Sequence, residues 1–210
     1  MQLCQANAAF MHILNFHQVP SSSLLLLGDS AGGHLLLMLL SHLVHGHPAL
    51  PASISLQHPL AGILLLSPST THRKLAPSFA ENCNKDIVRP EVYECWFSAF
   101  CGPAISTPEG LEADGWWTEH LGTPKGWWTG LGTTISKRIL LSAGEHECYH
   151  DDIKAFARKL VEEMKGEPMD LVFHLEKWDV HNSLCFYPPG TAPEELFELV
   201  AAWVTESLSD

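Results

Sequence analysis

Residues 24–33 have the sequence LLLLGDSAGG, and this stretch decides the fold. Four consecutive leucines predict a short strand buried on both faces, as in a parallel sheet. The apolar run His34–Val44 that follows predicts a helix. Ser30 lies between them in a Gly-x-Ser-x-Gly motif. The sequence therefore predicts a sharp strand–turn–helix that presents a nucleophilic serine.

The residues around Ser30 suggest how this turn would serve chemistry. Gly28 and Gly32 are expected to keep bulk away where strand and helix pass closest. The backbone N–H of Ala31, at the helix N-terminus, would point to the place where an oxyanion forms, with Gly32 beside it. Gly-x-Ser-x-Gly alone is a weak pattern, and the alternative is a βα turn that binds nothing. The flanking strand and helix favour the functional interpretation.

Further strands and helices are predicted in order along the chain. The strands are expected at 62–68, 138–143 and 169–175, and the helices at 5–17, 151–165 and 196–208. Alternation of strands and helices predicts an α/β fold with a parallel sheet of about four strands and helices on both faces. We expect residues 1–210 to form a single domain, with an irregular, cap-like insertion at about 69–132.

Composition excludes several classes of function. The net charge of −12 disfavours nucleic acid and anionic membrane surfaces as partners. No apolar run is long enough for a transmembrane helix, and Met1–Gln5 do not begin a signal peptide, so the default expectation is a cytoplasmic protein. The six cysteines are expected as thiols; a disulfide among Cys83, Cys95 and Cys101 is the alternative.

The insertion is rich in aromatic residues, and its role stays open. Gly115–Thr118 has the sequence GWWT, which recurs at Gly126–Thr129. Trp116 and Trp117 could line an apolar acyl or alcohol pocket, or the tryptophans could simply pack an irregular segment.

A serine nucleophile needs a histidine base that is oriented by a carboxylate. Residues 144–152, GEHECYHDD, follow the third predicted strand and offer Glu147, Asp151 and Glu145 as the acid. His181 follows the fourth predicted strand, so the order is serine, acid, histidine. No metal site is expected, because the remaining histidines of interest are helix-end and loop residues without carboxylates or cysteines at matching spacing: His42, His45 and His47.

The form Gly-Asp-Ser-Ala-Gly-Gly at residues 28–33 resembles the hormone-sensitive-lipase-like branch of the α/β-hydrolases, and its fungal carboxylesterase and steryl-acetyl-hydrolase-like members look closest. The resemblance implies a serine hydrolase of short-chain or acetyl esters of apolar alcohols, working without a cofactor. It implies Ser30, Glu147 and His181 as the triad, because Glu147 lies four residues before an Asp-Asp pair, where the family carries its acid. It also implies a pocket role for Trp116 and Trp117.

The resemblance covers only the C-terminal part of that fold, so a truncated hydrolase is expected. The family's His-Gly-Gly-Gly loop supplies most of the oxyanion hole, and no His-Gly-Gly motif occurs here. In the family fold the strand before Ser30 has a neighbour that this sequence lacks, which predicts an open sheet edge and possible self-association. The alternative hypothesis is therefore a catalytically impaired fragment, or a binding protein.

Overall fold

The computed structural model describes residues 2–51, 55–101, 115–188, 190–191 and 194–209. Within these ranges four strands form one parallel sheet in the order β1-β2-β3-β4. The strands are β1 (Leu25–Asp29), β2 (Gly62–Leu66), β3 (Arg138–Gly144) and β4 (Asp170–Glu176). The main helices are α1 (Gln2–Asn15), α2 (Ser30–His45), α3 (Pro77–Asn82), α4 (Pro90–Cys101), α5 (His150–Glu163) and α6 (Glu194–Ser207).

Helices cover both faces of this sheet, because alternate residues of the central strands point to opposite sides. On one face, Ile63 of β2 and Ile139 of β3 belong to a core shared with α1, α2 and α5. On the other, Leu64 and Leu140 pack with Trp203 of α6. The predicted α/β fold, a four-stranded parallel sheet between helices, is therefore confirmed.

Strand β1 lies at the edge of the described sheet and pairs with β2. The prediction that its leucines are buried on both faces is wrong in part: Leu25 and Leu26 are half-buried, and Leu27 is 58% exposed. An edge strand has sheet on one side only, which leaves such side chains partly uncovered.

Two details differ from the sequence-based expectations, and a third agrees with them. Helix α2 begins at Ser30 rather than at His34, so the serine itself opens the helix. The insertion between β2 and β3 contains α3, α4 and a π-helical turn at Leu131–Ile135. The described cysteines Cys83 and Cys95 are free thiols, as the main expectation had it.

The close approach of strand and helix is confirmed at Gly28 but not at Gly32. A Cβ on Gly28 would lie 2.6 Å from the carbonyl oxygen of Gly32, whereas one on Gly32 would meet only the Asp29 carboxylate, at 3.5 Å. Gly33 has the tight position instead, since its Cβ would lie 2.7 Å from Cβ of Pro68. Helix α2 therefore contacts the turn after β2 through Gly33.

None of the helices in the described part of the chain is long and apolar enough to cross a membrane.

Candidate active site

Ser30 stands at the junction of β1 and α2 in a conformation that few L-residues adopt. Its φ is +49°, in the left-handed region, which costs on the order of 1–3 kcal/mol for a residue other than glycine. This geometry is the sharp turn that the motif predicts. The first N–H groups of a helix have no intrahelical acceptor, so the N-terminus of α2 leaves the N–H of Ala31 free of the helical ladder. Nucleophile and donor are thus adjacent.

His181, from the loop after β4, joins Ser30 to Glu147, from the loop after β3. Its Nε2 lies 2.8 Å from Oγ of Ser30, and its Nδ1 lies 2.9 Å from Oε1 of Glu147. His181 is 3% exposed and Glu147 is fully buried. With the Nδ1 proton donated to the carboxylate, Nε2 is left to accept the hydroxyl proton of Ser30. His181 can therefore take the hydroxyl proton of Ser30, while Glu147 orients the imidazole and keeps the proton on Nδ1.

Both oxygens of the Glu147 carboxylate have partners. Besides the bond from His181, Oε2 accepts the Ser67 hydroxyl at 2.8 Å and the backbone N–H of Gly144 at 2.9 Å. A buried carboxylate without hydrogen bonds would be strongly disfavoured. These contacts satisfy both oxygens of the fully buried Glu147 and hold its carboxylate against His181.

The other two candidate acids lie elsewhere. Glu145 accepts the backbone N–H of Trp178 at 3.0 Å, and Asp151 accepts the backbone N–H of Ser78 at 3.0 Å. Of the three carboxylates, the structure brings Glu147 to His181.

The surroundings of His181 raise its pKa. Burial alone would lower the pKa, but the hydrogen bond to Glu147 and the negative charges of Glu147, Asp86 and Asp29 outweigh that effect. The protonated imidazole that forms when His181 takes a proton is thereby stabilised.

Ser67 and Asn182 were not singled out from the sequence as site residues. Ser67 follows β2 with a φ of +43°, and its Oγ accepts the backbone N–H of Asn182 at 3.2 Å while donating to Glu147. The side-chain amide of Asn182 donates to Asp29 at 3.0 Å. Asn182 therefore connects the loop of His181 to the residue before Ser30. Its position next to His181 was the available signal.

A small apolar pocket of about 40 Å³ adjoins Ser30 and Ala31. Helix α4 of the insertion supplies most of the aromatic lining, and Tyr149 supplies the rest: Tyr93, Trp96, Phe97, Phe100 and Tyr149. Aromatic residues of the insertion thus do line a pocket beside the serine.

The structure does not bring Trp116 or Trp117 to this pocket. Trp117 packs against His47 and Trp127, whose ring centroids lie 4.6 Å and 5.5 Å away, beyond the C-terminal end of α2. Trp116 is 44% exposed. Since α2 begins at Ser30 and ends at His45, about 24 Å of helix separates its two ends. For Trp117 the packing alternative describes the contacts better than the pocket alternative does.

In the described ranges, no three His, Cys, Asp or Glu side chains are grouped so that they could hold a metal ion. The helix-end histidines have local partners: His42 Nδ1 accepts the N–H of His47 at 2.9 Å, and His45 Nε2 lies 2.6 Å from the carbonyl oxygen of Trp127.

Comparisons with known proteins identify the fold and the family. The sequence model of a family described as having the α/β-hydrolase fold matches residues 4–181. No curated protein sequence matches the chain. Among solved structures, an esterase of the bacterial hormone-sensitive lipase family superposes with a TM-score of 0.69 at 21% identity, over 96% of this chain and 58% of that one.

Two further solved structures show the same fold. A thermostable esterase from Pseudomonas putida has a TM-score of 0.71 at 18% identity, over 99% of this chain and 57% of its own. Carboxyl esterase 2 from the mycorrhizal fungus Tuber melanosporum has a TM-score of 0.68 at 15% identity, over 97% and 60%. The chain thus spans about three fifths of the length of these proteins.

Proposed function

Because the chain belongs to the α/β-hydrolase family, we propose that it hydrolyses carboxylic esters through an acyl-enzyme formed on Ser30. The observation that carries the proposal is the hydrogen-bonded series of Ser30, His181 and Glu147, with distances of 2.8 Å and 2.9 Å. Solved structures with this fold include proteins described as esterases, which supports the same reaction class.

In the first half-reaction, Oγ of Ser30 attacks the ester carbonyl carbon as its proton passes to Nε2 of His181. The oxyanion faces the N–H of Ala31 at the N-terminus of α2. The tetrahedral intermediate then expels the alcohol, which takes the proton from His181. In the second half-reaction, water gives a proton to His181 and attacks the acyl carbon, and Ser30 recovers its proton as the acid leaves. Glu147 keeps Nδ1–H oriented throughout.

The pocket argues for a substrate with a small apolar group. Its aromatic lining offers no charged side chain that would neutralise an anionic substrate, and its volume of about 40 Å³ leaves room for a small group only. We therefore propose short-chain or acetyl esters of apolar alcohols. In a series of p-nitrophenyl esters from acetate to octanoate, kcat/KM is expected to be highest for the shortest chains.

The deciding experiment compares p-nitrophenyl acetate hydrolysis by the 210-residue protein, by Ser30→Ala and by Ser22→Ala, which changes an exposed serine in the turn before β1. Ser30→Ala should lower kcat by roughly 10⁴-fold to 10⁶-fold, as loss of a triad nucleophile does. Ser22→Ala should match the unaltered protein. Equal rates for all three proteins, with circular dichroism showing each folded, would refute the proposal.

Size-exclusion chromatography of the same samples tests the alternative of an impaired or binding-only protein. That alternative is motivated by the single-sided pairing of β1, where Leu27 is 58% exposed. A folded monomer without Ser30-dependent turnover would favour it over the esterase.

A further inference from the structure

Asp86 lies within the insertion, in the loop between α3 and α4. Its carboxylate accepts hydrogen bonds from the backbone of the loop that carries His181 and from the backbone of the loop that carries Glu147. Asp86 is 6% exposed. Its Oδ1 accepts the backbone N–H of His181 at 3.0 Å and that of Ile87 at 2.7 Å. Its Oδ2 accepts the backbone N–H of Cys148, the residue after Glu147, at 2.7 Å. One carboxylate therefore joins the base to the acid through their main chains.

Two residues that precede Asp86 in the chain also bind the loop that carries Glu147. The amide of Asn82 donates to the carbonyl oxygens of Glu145 and Glu147, at 3.1 Å and 3.0 Å. The hydroxyl of Ser78 donates to the carbonyl oxygen of Cys148 at 2.7 Å. These two residues hold only the loop after β3, whereas Asp86 also reaches the loop after β4.

Charged hydrogen bonds to backbone N–H groups are short and strong, particularly when water is excluded. Proton transfer between Ser30 and His181 depends on geometry, and a displacement of about 1 Å can lower a rate on the order of a hundredfold. We propose that Asp86 is a positioning residue that holds the His181 imidazole in line between Ser30 and Glu147. This inference rests on the proposed function for its effect on the rate, and on geometry alone for its effect on His181.

The charge of Asp86 gives the proposal a second, measurable consequence. The charged groups that face His181 are Glu147, Asp86 and Asp29, and the ring of Tyr149 lies 5.3 Å from the imidazole. Burial lowers the pKa of His181, and the three carboxylates together raise it above its ordinary value. Removing one of them must therefore move that pKa downward.

Asp86→Asn tests both consequences, because asparagine keeps the size but loses the charge and one acceptor oxygen. We expect kcat to fall between about tenfold and a hundredfold with KM little changed. Since His181 acts as a base when neutral, the acid limb of the kcat/KM profile should move to lower pH.

The matched control is Glu119→Gln, in the same insertion. Glu119 is also a buried carboxylate (4% exposed) that accepts backbone N–H groups, from His72 at 3.3 Å and Gly122 at 3.2 Å. The Glu119→Gln variant should leave kcat and the acid limb of the kcat/KM profile unchanged. Equal losses in Glu119→Gln and Asp86→Asn, with no movement of the limb in either, would mean that Asp86 is merely structural and would overturn the proposal.

A nuclear magnetic resonance titration of the His181 ring separates this inference from the proposed function. A lower midpoint in Asp86→Asn, in a protein that hydrolyses no ester, would uphold the positioning role and refute the esterase. If the His181 midpoint is unchanged in Asp86→Asn while the protein does hydrolyse esters, the positioning role is refuted and the esterase proposal is upheld. If Asp86→Asn does not fold, Asp86→Glu replaces it: kcat should fall while the raised midpoint is retained, and unaltered kcat would overturn the proposal.

Discussion

Two buried histidines on either side of Ser30 differ in charge behaviour. His181 is 3% exposed and His34, one turn along α2 from Ser30, is 1% exposed. Burial lowers the pKa of His34 to about 4, and its Nδ1 bonds only to the carbonyl oxygen of Ser69, at 3.0 Å. For His181 burial acts in the same direction, but the Glu147 carboxylate reverses the outcome. The partner, and not the depth of burial, decides whether a buried imidazole can hold a proton.

The same contrast holds for two buried carboxylates. Glu147 has bonds on both oxygens. Asp152, at the start of α5, is 8% exposed and its Oδ2 has no hydrogen-bond partner. Burial, with the charges of Glu119 and Asp151, raises the pKa of Asp152 to about 7. Glu147 is thus hydrogen-bonded on both oxygens beside His181, whereas one oxygen of Asp152 has no partner.

The largest effect is expected when the partner of His181 is neutralised. Glu147→Gln should lower kcat by about 10⁴-fold, as the corresponding amide does in other triads. It should also lower the pKa of His181 and move the acid limb of kcat/KM to lower pH, because the favourable charge is lost. Glu163→Gln, which removes a carboxylate that accepts the Trp128 N–H at 2.9 Å, is the control. An unchanged kcat in Glu147→Gln would contradict the conclusion that the partner carboxylate sets His181 apart from His34.

The second effect concerns Asp152. Its folded pKa of about 7 lies above the ordinary value of 3.8, so its contribution to stability is present at low pH and lost as pH rises through about 7. Asp152→Asn should therefore gain stability over the unaltered protein between these values, by roughly 4 kcal/mol in total. Urea unfolding at several pH values measures it, with Asp170→Asn on β4 as the exposed control. A pH-independent difference would contradict the prediction.

The two histidines should change the free energy of unfolding with pH in opposite directions, and the effect of His34 should be smaller than that of Asp152. The lowered pKa of His34 means that its contribution is present above pH 6.5 and lost as pH falls toward about 4. Relative to His34→Gln, the unaltered protein should lose roughly 3 kcal/mol of unfolding free energy across that range. His181, with a raised pKa, stabilises the fold at pH below its ordinary 6.5 and loses this contribution as pH rises through the raised value. If His34→Gln and His181→Gln changed the unfolding free energy with the same pH dependence, the two histidines would not differ in the direction of their pKa shifts.

The turn at Ser30 and the parallel sheet could be predicted because both depend on residues close together in the chain. A run of leucines followed by Gly-x-Ser-x-Gly and an apolar helix specifies its own strand, turn and helix. The order of strands and helices then restricts the sheet to few topologies. Gly33, rather than Gly32, has the tight position, because α2 packs there against Pro68 in the turn after β2.

Which aromatic residues line the pocket could not be predicted, since that depends on where the helices of the insertion lie relative to Ser30. Phe97 and Phe100 are aromatic residues of the same insertion as Trp116 and Trp117, yet α4 brings the phenylalanines to Ser30 while Trp117 lies against His47. Asp86 carried no signal at all, because backbone N–H groups are the same at every residue.

Local sequence thus determined the elbow at Ser30, the α/β class and the chain order of serine, acid and base, because short-range backbone preferences and hydrophobic spacing act within a few residues. Tertiary structure brings Glu147, the acid that the resemblance had implied, to His181. Tertiary structure alone decided that Asp86 joins their loops, and that the pKa of His181 rises while that of His34 falls. Those outcomes depend on distances between residues far apart in the chain, and electrostatic interactions depend on distance and burial rather than on sequence separation.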